Sequence, residues 1–296
     1  MSKKHPIISI TGSSGAGTST AKVAFEHIFR REHLIPAVVE GDSFHRFDRA
    51  GFKVAAKEFE ARDERLSHFS DKANRLDKLA GLFEEYGKTG SGERRLYIHS
   101  DEEGIPFKQP AGTFTPWKNI PEGSDLLFYE GLHGGYVPKD TDADANINVA
   151  KHTDLLIGIV PVVNLEWIQK IHRDTQMRGY ASEVVVDTIL QRMNDYVHHI
   201  TPQFTHADIN FQRVPLVDTS NPFIARDVPT PDESLLVIHF RDPAKWNVDF
   251  PYFLSMMPNS FMSRPNTIVV PATKMLFAME LILNPIIHRL MEDKKS

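Results

Sequence analysis

The chain contains no cysteine among its 296 residues, which excludes disulfides, thiolate zinc sites, cysteine nucleophiles and thiol-based redox switching together. Long hydrophobic runs are also missing. The longest nearly apolar stretch, Leu155 to Val163, is about half of the roughly 20 residues needed to cross a bilayer. There is no excess of positive charge: 34 Lys and Arg against 39 Asp and Glu leave a formal charge of −5, without the basic footprint of a dedicated nucleic-acid binder. Neither a membrane nor a nucleic acid is an expected partner. The apolar stretch after Lys3 and Lys4 ends at Thr11, too short for the core of a signal peptide, so a cytoplasmic location is expected. No internal repeat or low-complexity tract interrupts a composition that is 41% hydrophobic and 25% charged. One domain spanning residues 1–296 is the expectation.

What the chain does have is an alternation of apolar runs and helical patterns. Ile7-Ile8-Ser9-Ile10 reads as a strand, Gly12 to Gly17 as a loop, and Ala21, Ala24, Phe25, Ile28 and Phe29 as one face of a helix. A second strand, Ala37 to Glu40, follows at once, so the opening is a βαβ unit. Further strands are expected at Leu126 to Tyr129, Leu155 to Val163, Leu235 to Phe240 and Ile268 to Val270, with helices at Leu165 to Arg178, Glu183 to His198 and Lys274 to Met291. The pattern predicts an α/β fold of three layers around a mostly parallel mixed sheet. Charged Phe52 to Tyr86 and glycine- and proline-rich Gly87 to Gly123 fit this alternation poorly, and are read as a lid-like insertion at about 52–123, either functional or merely tolerated.

Gly12-Ser13-Ser14-Gly15-Ala16-Gly17-Thr18-Ser19 has the spacing of the nucleotide phosphate loop, G-x-x-x-x-G-K-[ST], with threonine in the lysine position. Such a loop turns backbone N–H groups toward phosphate oxygens at the positive end of the following helix. Ser19 is then the hydroxyl that holds Mg²⁺, and Thr20 closes the set of nucleotide-binding residues. The missing lysine requires a cation from elsewhere. Lys170, Arg173, Asp174 and Arg178 share one helical face; this is either a solvated ion-pair stripe or the source of that cation. Asp42 follows the second strand, where the ligand crevice of an open α/β sheet lies, and a carboxylate there can take a proton from a substrate hydroxyl. His45, Arg46, Arg49 and Lys53 form a short basic cluster suited to an anionic group on the acceptor. Glu130 ends the third strand, at the place of the acidic residue that manages magnesium. Asp42 and Glu130 also read simply as turn and strand-end carboxylates. His172-Arg173-Asp174 imitates a protein-kinase catalytic loop but has Gly179 where asparagine is required.

Several long strings carry a resemblance: Gly12 to Thr20, Glu40-Gly-Asp-Ser-Phe-His-Arg46, Phe128-Tyr-Glu-Gly-Leu-His-Gly134, Asn164 to Asp174, Asn210-Phe-Gln-Arg-Val-Pro215 and Val217-Asp-Thr-Ser-Asn-Pro222. Together they resemble phosphoribulokinase, in particular its bacterial class, over nearly the whole chain. The resemblance implies a phosphate-loop kinase fold and transfer of the γ-phosphoryl group of ATP, with Mg²⁺, to the carbon-1 hydroxyl of ribulose 5-phosphate. It implies Asp42 as catalytic base, Asp174 as a second essential acid, Lys170 in place of the loop lysine and Glu130 as the magnesium residue. His45, Arg49 and Arg173 would bind the sugar phosphate, assisted by Lys53 and Arg178. It further implies a homo-octamer activated by NADH, with Arg31 as the allosteric residue; adjacent arginines also commonly end helices. A kinase for another small acceptor, such as uridine or pantothenate, is the main alternative. A nucleotide-binding regulator without catalysis is a second.

Overall fold

The protein was analysed as a computed structural model that describes residues 4–13, 17–138, 147–225 and 227–295. Ser14, Gly15 and Ala16 of the phosphate loop lie outside the described residues.

The elements run β1 (Ile7–Thr11), α1 (Thr18–Arg31), β2 (Pro36–Glu40), α2 (Arg49–Glu60), α3 (Leu76–Thr89), β3 (Glu93–Arg94), α4 (Asp101–Gly104), β4 (Lys118–Asn119) and β5 (Leu126–Gly131). They continue with β6 (Leu155–Val160), α5 (Val163–Gln176), α6 (Ser182–Asp195), β7 (Ile209–Pro215), β8 (Ser234–Phe240), α7 (Phe250–Met256), β9 (Phe261–Arg264), β10 (Thr267–Pro271) and α8 (Met275–Lys295). Eight strands form one sheet in the order β2-β5-β1-β6-β7-β8-β10-β9. The first five are parallel and the last three alternate antiparallel, so the expected mostly parallel mixed sheet is what forms.

Alternating side chains explain the layers. Ile8 and Ile10 of β1, Leu126 and Phe128 of β5, and Leu155, Ile157 and Ile159 of β6 pack with α1 and α8 in the main core. Ile7, Leu127 and Tyr129 point the other way, into a second core with Leu76, Leu79, Leu82, Phe83 and Tyr86 of α3. Burial of the central strand on both faces is why β1 reads as a continuous apolar run. At β8 one face only is fully buried, and its burial alternates along the strand.

Several boundaries differ from the sequence expectation. The strand expected to reach Val163 stops at Val160, because Pro161 has no N–H for a ladder. The helix expected to reach Arg178 stops at Gln176, and the chain turns at Gly179, whose φ of +70° favours glycine. β7 was not among the expected strands. Within 52–123, α3 belongs to a helical layer of the sheet itself, since its apolar positions recur at helical spacing and are buried. The stretch around 94–99 instead lies against β2 and the turn after it, with Arg94 donating to the Val38 carbonyl and Arg95 to those of Ser43 and His45. No described helix is long and apolar enough to cross a membrane.

Candidate active site

The carboxyl ends of β2, β5, β1, β6 and β7 share one edge, and the ligand crevice of such a sheet opens there. β1 leads into the phosphate loop. A side chain on Gly12 would place a Cβ 2.9 Å from the Ile159 carbonyl oxygen, so the loop can leave the sheet only with glycine there. Gly17 sits at φ +105° before α1, a conformation that disfavours other residues. The first turn of α1 carries no acidic residue, which leaves its positive end free for an anion. Thr18, the residue in the lysine position, is nearly buried and lies close enough to Glu130 to act on its carboxyl. Ser19 is exposed. Burial holds the Glu130 carboxyl above its usual range, with Glu40 and Asp42 adding to the rise and Thr18 and Lys22 opposing it.

Asp42 stands in a single 3₁₀ turn, Gly41–Phe44, directly after β2. One of its oxygens lies 3.2 Å from His45 Nε2, the other 3.8 Å from His99 Nε2. Asn74 uses its amide hydrogens on the His68 and Ser70 carbonyls. Its oxygen is therefore left to accept from His45 Nδ1 at 2.8 Å, which fixes the ring with Nε2 toward Asp42. Burial pushes the Asp42 carboxyl up, but the His45 hydrogen bond and the charges of His45, His99 and His68 together outweigh it and hold the group below its usual range. Arg95 clamps the same turn: Nε donates to the Ser43 carbonyl at 2.7 Å and Nη2 to the His45 carbonyl at 2.6 Å. Its guanidinium rests 3.6 Å over the centre of the Phe114 ring.

The second half of the site is the face of α5. Asp174, only 4% exposed, receives Lys170 Nζ at 2.5 Å, Arg173 Nε at 3.0 Å and Arg178 Nη1 at 3.1 Å. Arg178 reaches it from beyond the helix end. Burial, with Arg192 of α6 and Arg173, lowers the Lys170 ammonium against the pull of Asp174. One carboxylate thus gathers three cationic groups, and Arg192 acts on the same cluster from α6, leaving a local excess of positive charge. The His68 ring lies 4.7 Å from that of His45, and its neighbours reach α6, Ser67 donating to Asp195 at 2.6 Å and the Phe69 ring lying 5.8 Å under Arg192, so the segment beside the base turn leads to the helix packed on α5.

The remaining expected residues are placed as follows. Arg49 opens α2, its Nη2 donating to the His99 carbonyl at 3.4 Å, and Lys53, exposed one turn later, shares its helical face. Arg46 is spent on backbone, donating to the Lys72 and Asn74 carbonyls. Arg31 lies at the opposite end of α1 from the loop, about 20 Å away for a helix of this length, 3.6 Å from both Glu32 and Glu280. Ser14, Gly15 and Ala16 lie outside the described residues. Sequence reasoning missed His68, Asn74, Arg95, His99 and Arg192. Four of these lie in the segment read as an insertion, and Arg192 sits on a helix whose pattern singles out no position.

A phosphate loop between β1 and α1, a carboxylate on the turn after β2, and a cation cluster on the helix after β6 define a phosphate-loop kinase. A profile for the "Phosphoribulokinase / Uridine kinase family" matches residues 7–220. The phosphoribulokinase of Nitrobacter vulgaris is 56% identical over 296 residues, covering 100% of this chain and 99% of that protein. That of Sinorhizobium medicae is 58% identical over 294 residues, covering 99% of each. The solved phosphoribulokinase from Rhodobacter spheroides superposes with a TM-score of 0.89 at 52% identity, covering 100% of both chains. The chain belongs to the phosphoribulokinase / uridine kinase family.

Proposed function

We propose that the chain transfers the γ-phosphoryl group of ATP to the carbon-1 hydroxyl of ribulose 5-phosphate. Its full-length identity to phosphoribulokinases supports that substrate. The observation that carries the mechanism is the base turn: a carboxylate kept ionised by His45 and His99, on a turn whose Gly41 packs against Gly131, the residue that accepts from Gly12 N at the start of the phosphate loop. Asp42 accepts the hydroxyl proton as the oxygen attacks phosphorus. Gly12, Ser13, Ser14, Gly15, Ala16, Gly17, Thr18, Ser19 and Thr20 hold the nucleotide. Lys170, already partly dehydrated on α5, supplies the positive charge that the loop lacks at position 18. Asp174 orients Lys170, Arg173 and Arg178, a role set by its three ion pairs.

A magnesium ion fits the donors present: Ser19 offers an exposed hydroxyl and Glu130 a carboxylate at the crevice, both hard oxygens. An ion carried by nucleotide phosphates needs only one or two such ligands. When bound, it neutralises charge on the phosphates. Activation by NADH through Arg31, assembly as a homo-octamer and a cytoplasmic location belong to the same reading by resemblance. The place of Arg31, half exposed and away from the crevice, suits an effector better than a substrate.

The sugar phosphate is assigned to His45, Arg49 and Arg173, with Lys53 and Arg178 at its margin. Arg49→Ala is expected to raise the KM for ribulose 5-phosphate by roughly tenfold or more, the worth of one charge-assisted hydrogen bond, with kcat within about threefold. Steady-state kinetics with the sugar phosphate varied checks this; a fall in kcat alone would move Arg49 into the chemical step. The activity itself is tested by direct detection of ribulose 1,5-bisphosphate from ATP, Mg²⁺ and ribulose 5-phosphate, with uridine and pantothenate as competing acceptors. Product from the sugar phosphate alone is expected. Product only from another acceptor would retain the kinase and reject this substrate.

A further inference from the structure

Glu166 has no part in the chemistry above, yet it lines a pocket with Gly17 and Thr20 at the end of the phosphate loop. It lies in the first turn of α5 and is 7% exposed. Its Oε2 has no hydrogen-bond partner among the described residues, and neither has the Oγ of Ser13, which is 1% exposed. Ser13 and the phenol of Tyr196 are nevertheless the polar groups that act on its carboxyl. Tyr196 opens a π-helical turn, Tyr196–Ile200, that continues α6, and such turns recur at functional sites. Its phenol is held well above the usual range by burial and by Glu166, so it stays protonated and can donate to the carboxyl.

The pocket beside this group is lined by Gly17 before α1, Thr20 of α1, Gln169 of α5, Arg213 of β7 and Met275 of α8. The charged groups facing Glu166 are Lys170 and Arg173 on its own helix, with Arg213 across the pocket; α1 contributes only uncharged residues there. Burial raises the carboxyl to about 7 against the pull of Ser13, Lys170, Tyr196 and Arg173. Near neutral pH the group therefore exists in both forms. Phosphates in the loop would bring negative charge next to Ser13, and an ionised Glu166 would oppose them. The neutral acid can instead donate to Ser13 Oγ, which needs a partner.

We propose that Glu166 is a proton-coupled positioning residue of the phosphate loop, taking up one proton from solvent when the nucleotide binds and, as the neutral acid held by Tyr196, fixing Ser13. This rests on the reading of the loop as a nucleotide site.

The test is calorimetric titration of the full chain with MgADP in two buffers of different ionisation enthalpy. At about pH 7.5 the wild type is expected to take up roughly half to three-quarters of a proton, and its affinity to fall by up to about tenfold per pH unit above that. Glu166→Gln, an uncharged isostere, is expected to bind MgADP within about threefold of the wild type at about pH 6.5, with uptake near zero and a flat affinity profile. Tyr196→Phe removes a donor that favours the carboxylate, so its uptake should shift to higher pH. A wild type that binds MgADP without proton uptake would overturn the proposal even if the variants fail to fold. Equal uptake by wild type and Glu166→Gln would assign the proton elsewhere and overturn it too. Absence of MgADP binding to the wild type would instead overturn the nucleotide reading, and the proposal with it.

Discussion

Asp42→Asn is expected to lower kcat by on the order of 10²–10⁴, the usual contribution of a general base, while leaving the KM for ATP within about threefold. The amide keeps the size of the carboxyl and can still hydrogen-bond with His45 Nε2, now 3.2 Å from the carboxylate, so the turn held by Arg95 should keep its shape. It cannot take a proton. The pH profile separates this role from a structural one. The His45 hydrogen bond and the nearby histidine charges outweigh burial and hold the Asp42 carboxyl below its usual range. The base form is therefore present throughout neutral pH and is lost only as pH falls through that depressed value. The acid limb of kcat that belongs to Asp42 should lie below the ordinary carboxylate range, and any loss of rate nearer neutrality belongs to other groups. Single-turnover kinetics of the variant with saturating ATP and ribulose 5-phosphate is the check. A rate near wild type would remove Asp42 from the reaction.

The fold was legible in the sequence wherever burial on both faces wrote a continuous apolar run. β1 and β6 are of that kind, and so is the parallel heart of the sheet. β7 escaped notice because only Ile209 and Phe211 turn fully into the core, while Asn210 and Gln212 on its other face interrupt the run. α3 was hidden differently: Leu76, Leu79, Phe83 and Tyr86 keep helical spacing, but the charged segment around them dominated the composition. The phosphate loop, Asp42 and the α5 face could be found from local spacing, since each depends on residues close in the chain. His99 and Asn74 could not. They meet Asp42 and His45 only because the stretch around 94–99 and the turn before α3 fold back onto β2. Arg192 likewise joins Lys170 only through the packing of α6 on α5. The face of α5, which spacing alone left open between a solvated stripe and a functional cluster, is partly buried: Lys170 is 17% exposed and the Asp174 side chain 6%. That burial distinguishes it from ordinary surface pairs, which are worth little.

Asp174→Asn is expected to cost on the order of 10²–10³ in kcat/KM for ribulose 5-phosphate, because one carboxylate orders the three cations that the proposed function assigns to phosphates. Burial alone would push this carboxyl up, but Lys170 and Arg173 outweigh it and hold it below the usual range. A depressed native pKa contributes stability that is present above the unfolded value and lost as pH falls through the native one. The variant should thus melt below the wild type at neutral pH, with the difference closing in strong acid. The loss should not exceed the roughly 3 kcal/mol that marks the low end for breaking a fully buried pair, since Arg178 is largely solvated. The same geometry predicts coupling with Lys170. Lys170→Met removes the cation nearest Asp174, and once it is gone the carboxylate has less left to position. The double variant Lys170→Met/Asp174→Asn should therefore fall well short of the product of the two single losses. A fully multiplicative loss would mean that the two side chains act independently, and Asp174 would then have a catalytic task of its own beyond holding the cations in place.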